Sequence, residues 1–139
     1  MEKNKKSKPV LIVDDDAEYL NFLRIAIGTV YPVVSATSGE EAIQTAKKTR
    51  PGVIILDVMM PGGQDGFATF CDLRSGKDTS HIPVIILSSV SKITGLDFGP
   101  ESMEQFLGAA PTAFLEKPVA AERLLSELRK ALGEEPEDR

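Results

Sequence analysis

Val10-Leu11-Ile12-Val13-Asp14-Asp15-Asp16 is the stretch on which the fold reading turns. Four consecutive apolar residues without alternation describe a strand covered on both faces, the pattern of a parallel sheet. The run ends abruptly in three carboxylates. Val53-Ile54-Ile55-Leu56-Asp57 repeats the arrangement, an apolar run and then an acid. Further short runs lie at Val33–Ala36, Val84–Leu87 and Ala113–Leu115. Pro32, opening the second run, fits the first residue of a strand or a strand at the sheet edge.

The intervals carry helical spacing. Leu20, Leu23 and Ile27 form one stripe, with Gly28 closing the helix. Ser38 and Glu41 form an S-x-x-E capping box ahead of Ala42, Ile43 and Ala46. Phe67, Phe70 and Cys71 are spaced for a third helix, with Cys71 expected on a partly buried face as a small apolar residue. Leu124, Leu125, Leu128 and Leu132 define the last. Five strands alternating with helices predict an α/β, doubly wound parallel sheet with helices on both faces. One stretch breaks the rhythm. Gly95, Gly99, Pro100, Gly108 and Pro111 frame a long loop, Ser89–Gly99, and a short helix over Pro100–Leu107.

The 139 residues suit one domain, and the formal net charge of −5 disfavours non-specific binding to nucleic acid or anionic membrane. A single cysteine, Cys71, excludes an internal disulfide and a Cys-rich zinc site. His81, the only histidine, is expected in an exposed loop rather than as a ligand. No apolar run approaches the ~20 residues of a membrane span. Lys3, Lys5, Lys6 and Lys8 precede only four apolar residues before the acids, too few for a secretion signal. These features predict a cytoplasmic chain with a basic tail over 1–8, one domain over 9–133, and an acidic tail or linker start over 134–139.

In open α/β sheets, ligands sit beyond the carboxyl ends of the strands. The residues there are Asp14, Asp15 and Asp16 after the first run, Asp57 after the third, Ser88 and Ser89 after the fourth, and Glu116, Lys117 and Pro118 after the fifth. Carboxylates at strand ends make an oxygen site for a hard cation such as Mg²⁺. A carboxylate can also attack a phosphoryl group, giving an acyl phosphate, while a metal, a lysine and a hydroxyl offset the transferred charge. Each residue alone has a plainer reading. Asp14–Asp16 could be helix-capping acids, Asp57 another cap, and Ser88, Ser89 and Lys117 ordinary surface residues.

Taken together in order, VLIVDDD (10–16), VIILDVMMP (53–61), Asp65-Gly66, PVIILS (83–88) and FLEKP (114–118) resemble the receiver domain of two-component response regulators. The likeness spans Val10 to Leu132. It implies strand order 2-1-3-4-5. It also implies that Asp57 accepts a phosphoryl group from a histidine kinase or histidine phosphotransfer protein. Asp15 would ligate Mg²⁺ directly, Asp14 would orient it largely through water, and Met59 would offer its backbone carbonyl. Lys117 would pair with phosphoryl oxygens, beside Pro118 at the family's usual cis peptide. Ser88 and Phe114 would be the switch pair that moves on phosphorylation.

Some features depart from the family. The loop Pro61-Gly62-Gly63-Gln64-Asp65-Gly66 is longer than usual, Ser89 stands where alanine is common, and the interval from Ser88 to Lys117 is extended. None touches the acceptor or metal residues. They fall on the segment that receivers commonly present to partners, so Ser89–Leu107 is expected either to form a phosphorylation-sensitive partner surface or to be a packed excursion that does not move.

The function expected is therefore a phospho-acceptor switch that catalyses only its own phosphorylation and dephosphorylation. The alternative is a receiver-fold docking module that works without phosphorylation. A metal-dependent phosphatase or nucleotide binder is disfavoured: Asp57-Val58-Met59 lacks the second aspartate of haloacid-dehalogenase-type phosphatases, and Gly62–Gly66 lacks a P-loop ending. The resemblance implies no direct nucleic-acid or membrane contact by this domain. It leaves open the downstream partner, a phosphorylation-dependent homodimer, and whether the domain stands alone or belongs to a longer protein.

Overall fold

The apolar run Val10–Val13 forms β1, the second strand of a five-stranded, all-parallel sheet in the order β2-β1-β3-β4-β5. The computed structural model describes residues 8–57, 66–88, 113–116 and 119–133, with the backbone alone for Gly66, Phe67, Ser88 and Phe114. The chain order is β1, α1 (Ala17–Gly28), β2 (Val33–Ala36), α2 (Gly39–Thr49), β3 (Val53–Leu56), α3 (Gly66–Ser75), β4 (Val84–Ser88), β5 (Ala113–Glu116) and α4 (Ala121–Ala131). The five expected strands form where the apolar runs stand, β4 and β5 each running one residue further. The expected basic tail before Lys8, the Ser89–Gly99 loop, the Pro100–Leu107 helix and the acidic tail lie outside the described residues.

Two cores explain why the strands are apolar without interruption. Leu11, Val13, Ile54, Leu56, Val84 and Ile86 face α2 and α3, packing on Ala42, Ala46, Phe70 and Leu73. The alternate residues Val10, Ile12, Val53, Ile55, Ile85 and Leu87 face α1 and α4, packing on Leu23, Ile27, Leu124 and Leu128. With both faces covered, every position of β1 and β3 is buried. β2 lies at the edge, which accommodates Pro32; its carbonyl accepts a hydrogen bond from Val10 N at 2.9 Å.

The boundaries of α1 and α2 follow the sequence signals with two refinements. Ser38 caps α2, its Oγ accepting from Glu41 N at 3.1 Å. The Glu41 carboxylate does not close the reciprocal half of the box on Ser38. It accepts instead from Thr37 N at 2.9 Å and Thr37 Oγ1 at 3.1 Å, one residue earlier. α1 ends at Gly28 as expected, but through right-handed backbone at Thr29 (φ −74°). The left-handed cap occurs at the end of α2, on Arg50 (φ 53°).

Cys71 corrects an expectation. It lies on the exposed side of α3, because Phe70 and Leu73 take the core-facing positions and direct their neighbours outward. His81 is exposed, as expected of a loop residue.

The turn from α3 to β4 has a clamp that the apolar pattern does not reveal. Arg74 Nη1 donates to the carbonyls of Ser80 at 2.9 Å and Ile82 at 3.0 Å, and the guanidinium lies 5.2 Å from the centre of the Phe70 ring. Partial burial lowers its pKa below the ordinary arginine value. Arg74→Ala leaves both carbonyls without this donor and removes the cation–π contact, for an expected loss of about 2 kcal/mol. Urea denaturation checks this; an unchanged midpoint would show that water replaces the guanidinium at no cost.

Candidate functional site

The carboxyl ends of β1 and β3 are held side by side by the last bonds of the sheet. Val13 is in register with Leu56, so the next residues, Asp14 and Asp57, emerge together. Asp14 N donates to Ala36 O at 3.1 Å, and Asp57 N donates to Val13 O at 3.0 Å. These bonds extend the ladders one residue beyond the strands and fix the backbone of both acids.

The three aspartates after β1 then divide their work. Asp14 is buried, 1% exposed, and its Oδ1 accepts from Asp16 N at 3.0 Å, turning the chain away from the sheet. Asp16 is the N-cap of α1, its Oδ1 accepting from Glu18 N at 3.0 Å and Tyr19 N at 3.4 Å. Asp15 does neither and remains exposed between them. The plain capping interpretation is therefore correct for Asp16 alone. The Asp16 amide as the group that orients Asp14 was not singled out from sequence, although the i→i+2 aspartate turn is a recognisable local signal.

Asp14, Asp15 and Asp57 form one cluster, each offering a carboxylate oxygen within 4.8 Å of the others. Asp57 is only 4% exposed, so two of the three are almost fully buried. Like charges this close repel, and burial strengthens the repulsion by lowering the local dielectric. An all-oxygen set with one solvent-facing member suits a hard divalent cation that keeps part of its water shell.

Of the other expected residues, Ser88 and Phe114 are described, and strand register relates both to this rim. Ser88 is the last residue of β4, in register with Glu116 of β5, and Glu116 immediately precedes Lys117. Phe114 pairs with Ile86, two residues below Ser88. Ser88 and Phe114 are thus placed by backbone register. Met59, Lys117 and Pro118 lie outside the described residues, as does the loop 61–65.

Residues 10–129 match the family model of the response regulator receiver domain. The chain belongs to that family: it is a receiver domain of two-component response regulators. Among solved structures, chemotaxis response regulator CheY4 of Vibrio cholerae is similar, with a TM-score of 0.74 and 30% identity over 91% of this chain and 99% of that one. Response regulator MprA of Mycolicibacterium vanbaalenii is 35% identical over 88% of this chain and 49% of its own length. Response regulator PleD of Caulobacter vibrioides is 35% identical, covering 88% of this chain and 26% of that protein. A relative named as a probable transcriptional regulator, ycf27 of Porphyridium aerugineum, is 32% identical over 95% of this chain. The chain spans about half the length of that relative, 49%. Receiver domains are regulatory modules rather than turnover enzymes. Among the described residues, no helix is long and apolar enough to cross a membrane.

Proposed function

We propose that this receiver is a phospho-acceptor switch in which Asp57 takes a phosphoryl group from a phosphohistidine of a histidine kinase or phosphotransfer protein. The observation that carries this reading is the cluster of Asp14, Asp15 and Asp57, all within 4.8 Å, at the sheet edge where the family receives its phosphoryl group. An Oδ of Asp57 attacks phosphorus, the new O–P bond forms as the N–P bond breaks, and the electron pair returns to the donor imidazole. The ladder bond from Asp57 N to Val13 O fixes the Asp57 backbone, which limits where the attacking oxygen can lie.

Mg²⁺ would offset the charge of the cluster and of the transferring group. The residues that would hold it are Asp15 directly, Asp14 largely through water, Asp57, and the backbone carbonyl of Met59. Lys117 pairs with the phosphoryl oxygens of the product, a charge-assisted contact. Ser88 and Phe114 then shift together and alter a surface that binds a downstream protein. The body of the domain covers 9–133, with a basic segment over 1–8 and an acidic one over 134–139. The reading places the protein in the cytoplasm, where the phosphoryl donor resides.

Incubation with a small phosphodonor, with and without Mg²⁺, tests the reading by intact mass. A gain of one phosphoryl group that depends on Mg²⁺ is expected. No gain under any donor would favour a docking module that works unphosphorylated.

Metal binding has its own readout. At ten times its dissociation constant, Mg²⁺ stabilises the fold by about 1.4 kcal/mol through linkage, raising the thermal midpoint by roughly 3–6 °C. Asp15→Asn, which removes the solvent-facing ligand, should lose most of that shift in a thermal melt. An equal shift in the variant would remove Asp15 from the ligand set.

A further inference from the structure

The end of the domain opposite Asp57 is basic. Helices in this fold run back from the acidic rim, so the strand starts and helix ends share the far pole. Lys8 precedes β1, Lys47 and Lys48 occupy the last turn of α2, Arg50 follows it, and Arg129 and Lys130 occupy the last turn of α4. All but Arg129 are exposed, and Arg129 is half-buried. One of the six has an acidic neighbour on its own helix: Lys130 Nζ lies 3.6 Å from Glu127 Oε2.

These segments are in contact. Gly52, two residues after Arg50, lies so close to the Leu132 and Lys8 side chains that a Cβ there would come within 2.7 Å of Leu132 Cδ2 and 3.3 Å of Lys8 Cβ. Gly52 N also donates to Pro9 O at 3.0 Å. The start of β1, the α2–β3 turn and the end of α4 therefore form one continuous surface.

Favourable placement of cations at helix ends accounts for Lys47, Lys48, Arg129 and Lys130. It does not account for Lys8, which belongs to no helix. Nor does backbone preference account for Arg50, whose left-handed conformation (φ 53°) favours glycine or asparagine. The surface carries more positive charge than helix capping requires.

An acidic segment of the same chain begins beside it. Glu134, Glu135, Glu137 and Asp138 follow Gly133 directly, and Leu132 already touches the Gly52 turn. Five extended residues span at most roughly 17 Å, enough to reach from Leu132 past Arg50 toward the last turn of α2. We propose that the basic pole is an interaction surface for an acidic peptide, and that its occupant is the Glu134–Asp138 stretch of this chain. By covering the cations, the stretch keeps an overall acidic domain from offering a positive face to external polyanions.

Two measurements on the full chain test this. Carbodiimide treatment joins carboxylates to neighbouring lysine amines. Within the monomer it should link the 134–138 stretch to Lys47 and Lys48 at low salt. Those links should disappear at 1 M salt, where the screening length falls to about 3 Å. Retention on a heparin column is the second readout. Replacing Glu134, Glu135 and Glu137 by Gln should delay elution more than replacing Glu18, Glu40 and Glu122, an equal change in charge at the opposite pole. Adding Lys47→Gln, Lys48→Gln and Arg50→Gln should abolish that difference. Equal delays in the two triple variants, links no more frequent than those to Lys77, or links found only between molecules would overturn the proposal. Tight retention of the wild-type chain at physiological salt would also overturn it, and would make the pole a nucleic-acid-type surface instead.

Discussion

Asp57→Asn takes up no phosphoryl group from a small phosphodonor in Mg²⁺, while the chain still unfolds cooperatively. The amide has the shape of the carboxylate but lacks the nucleophilic oxygen, so the chemical step is lost rather than slowed. Folding is retained because Asp57 N, not its side chain, makes the ladder bond to Val13 O at 3.0 Å. Removing one charge from a cluster in which all three carboxylates lie within 4.8 Å also relieves repulsion among them. Intact mass and a thermal melt check the two halves. Phosphoryl uptake at the wild-type rate would show that another residue is the main acceptor.

The largest expected loss of stability comes from Phe70→Ala. Phe70 is fully buried in the core between the sheet and α2 and α3, where its ring also carries the Arg74 contact. Truncation leaves a cavity and costs about 3–5 kcal/mol, a large share of the roughly 5–15 kcal/mol typical of a domain. In urea the midpoint should fall with little change in slope. A fall smaller than that of Arg74→Ala would mean that the helices close over the vacancy.

The sheet was legible because its strands are covered on both faces. Burial by both layers leaves no room for polar alternation, so Val10–Val13 and Val53–Leu56 stand out as unbroken runs with definite ends. The same property placed the acidic cluster, since an acid directly after such a run must lie at the rim. Less legible was the division of labour within Asp14–Asp16, which depends on a local turn rather than on composition. Asp16 as cap and Asp14 as a buried acceptor become distinct only once the Asp16 amide is seen to bond back to Asp14 Oδ1. Cys71 shows the limit of spacing alone. Adjacent helical positions are about 100° apart, so Phe70 and Cys71 need not share a face, and the larger ring occupies the core. Arg74 escaped notice because its partners are backbone carbonyls, which no side-chain pattern records.

The proposal centres on Asp57 rather than its acidic neighbours. Its most direct test is to map the phosphoryl group on the full chain after reaction with a small phosphodonor and Mg²⁺. Borohydride reduction of the acyl phosphate marks the modified aspartate before peptide sequencing by mass spectrometry. The mark is expected on Asp57 alone. A mark on Asp14 or Asp15, or a stable phosphoester on Ser88 in place of an acyl phosphate, would contradict the account.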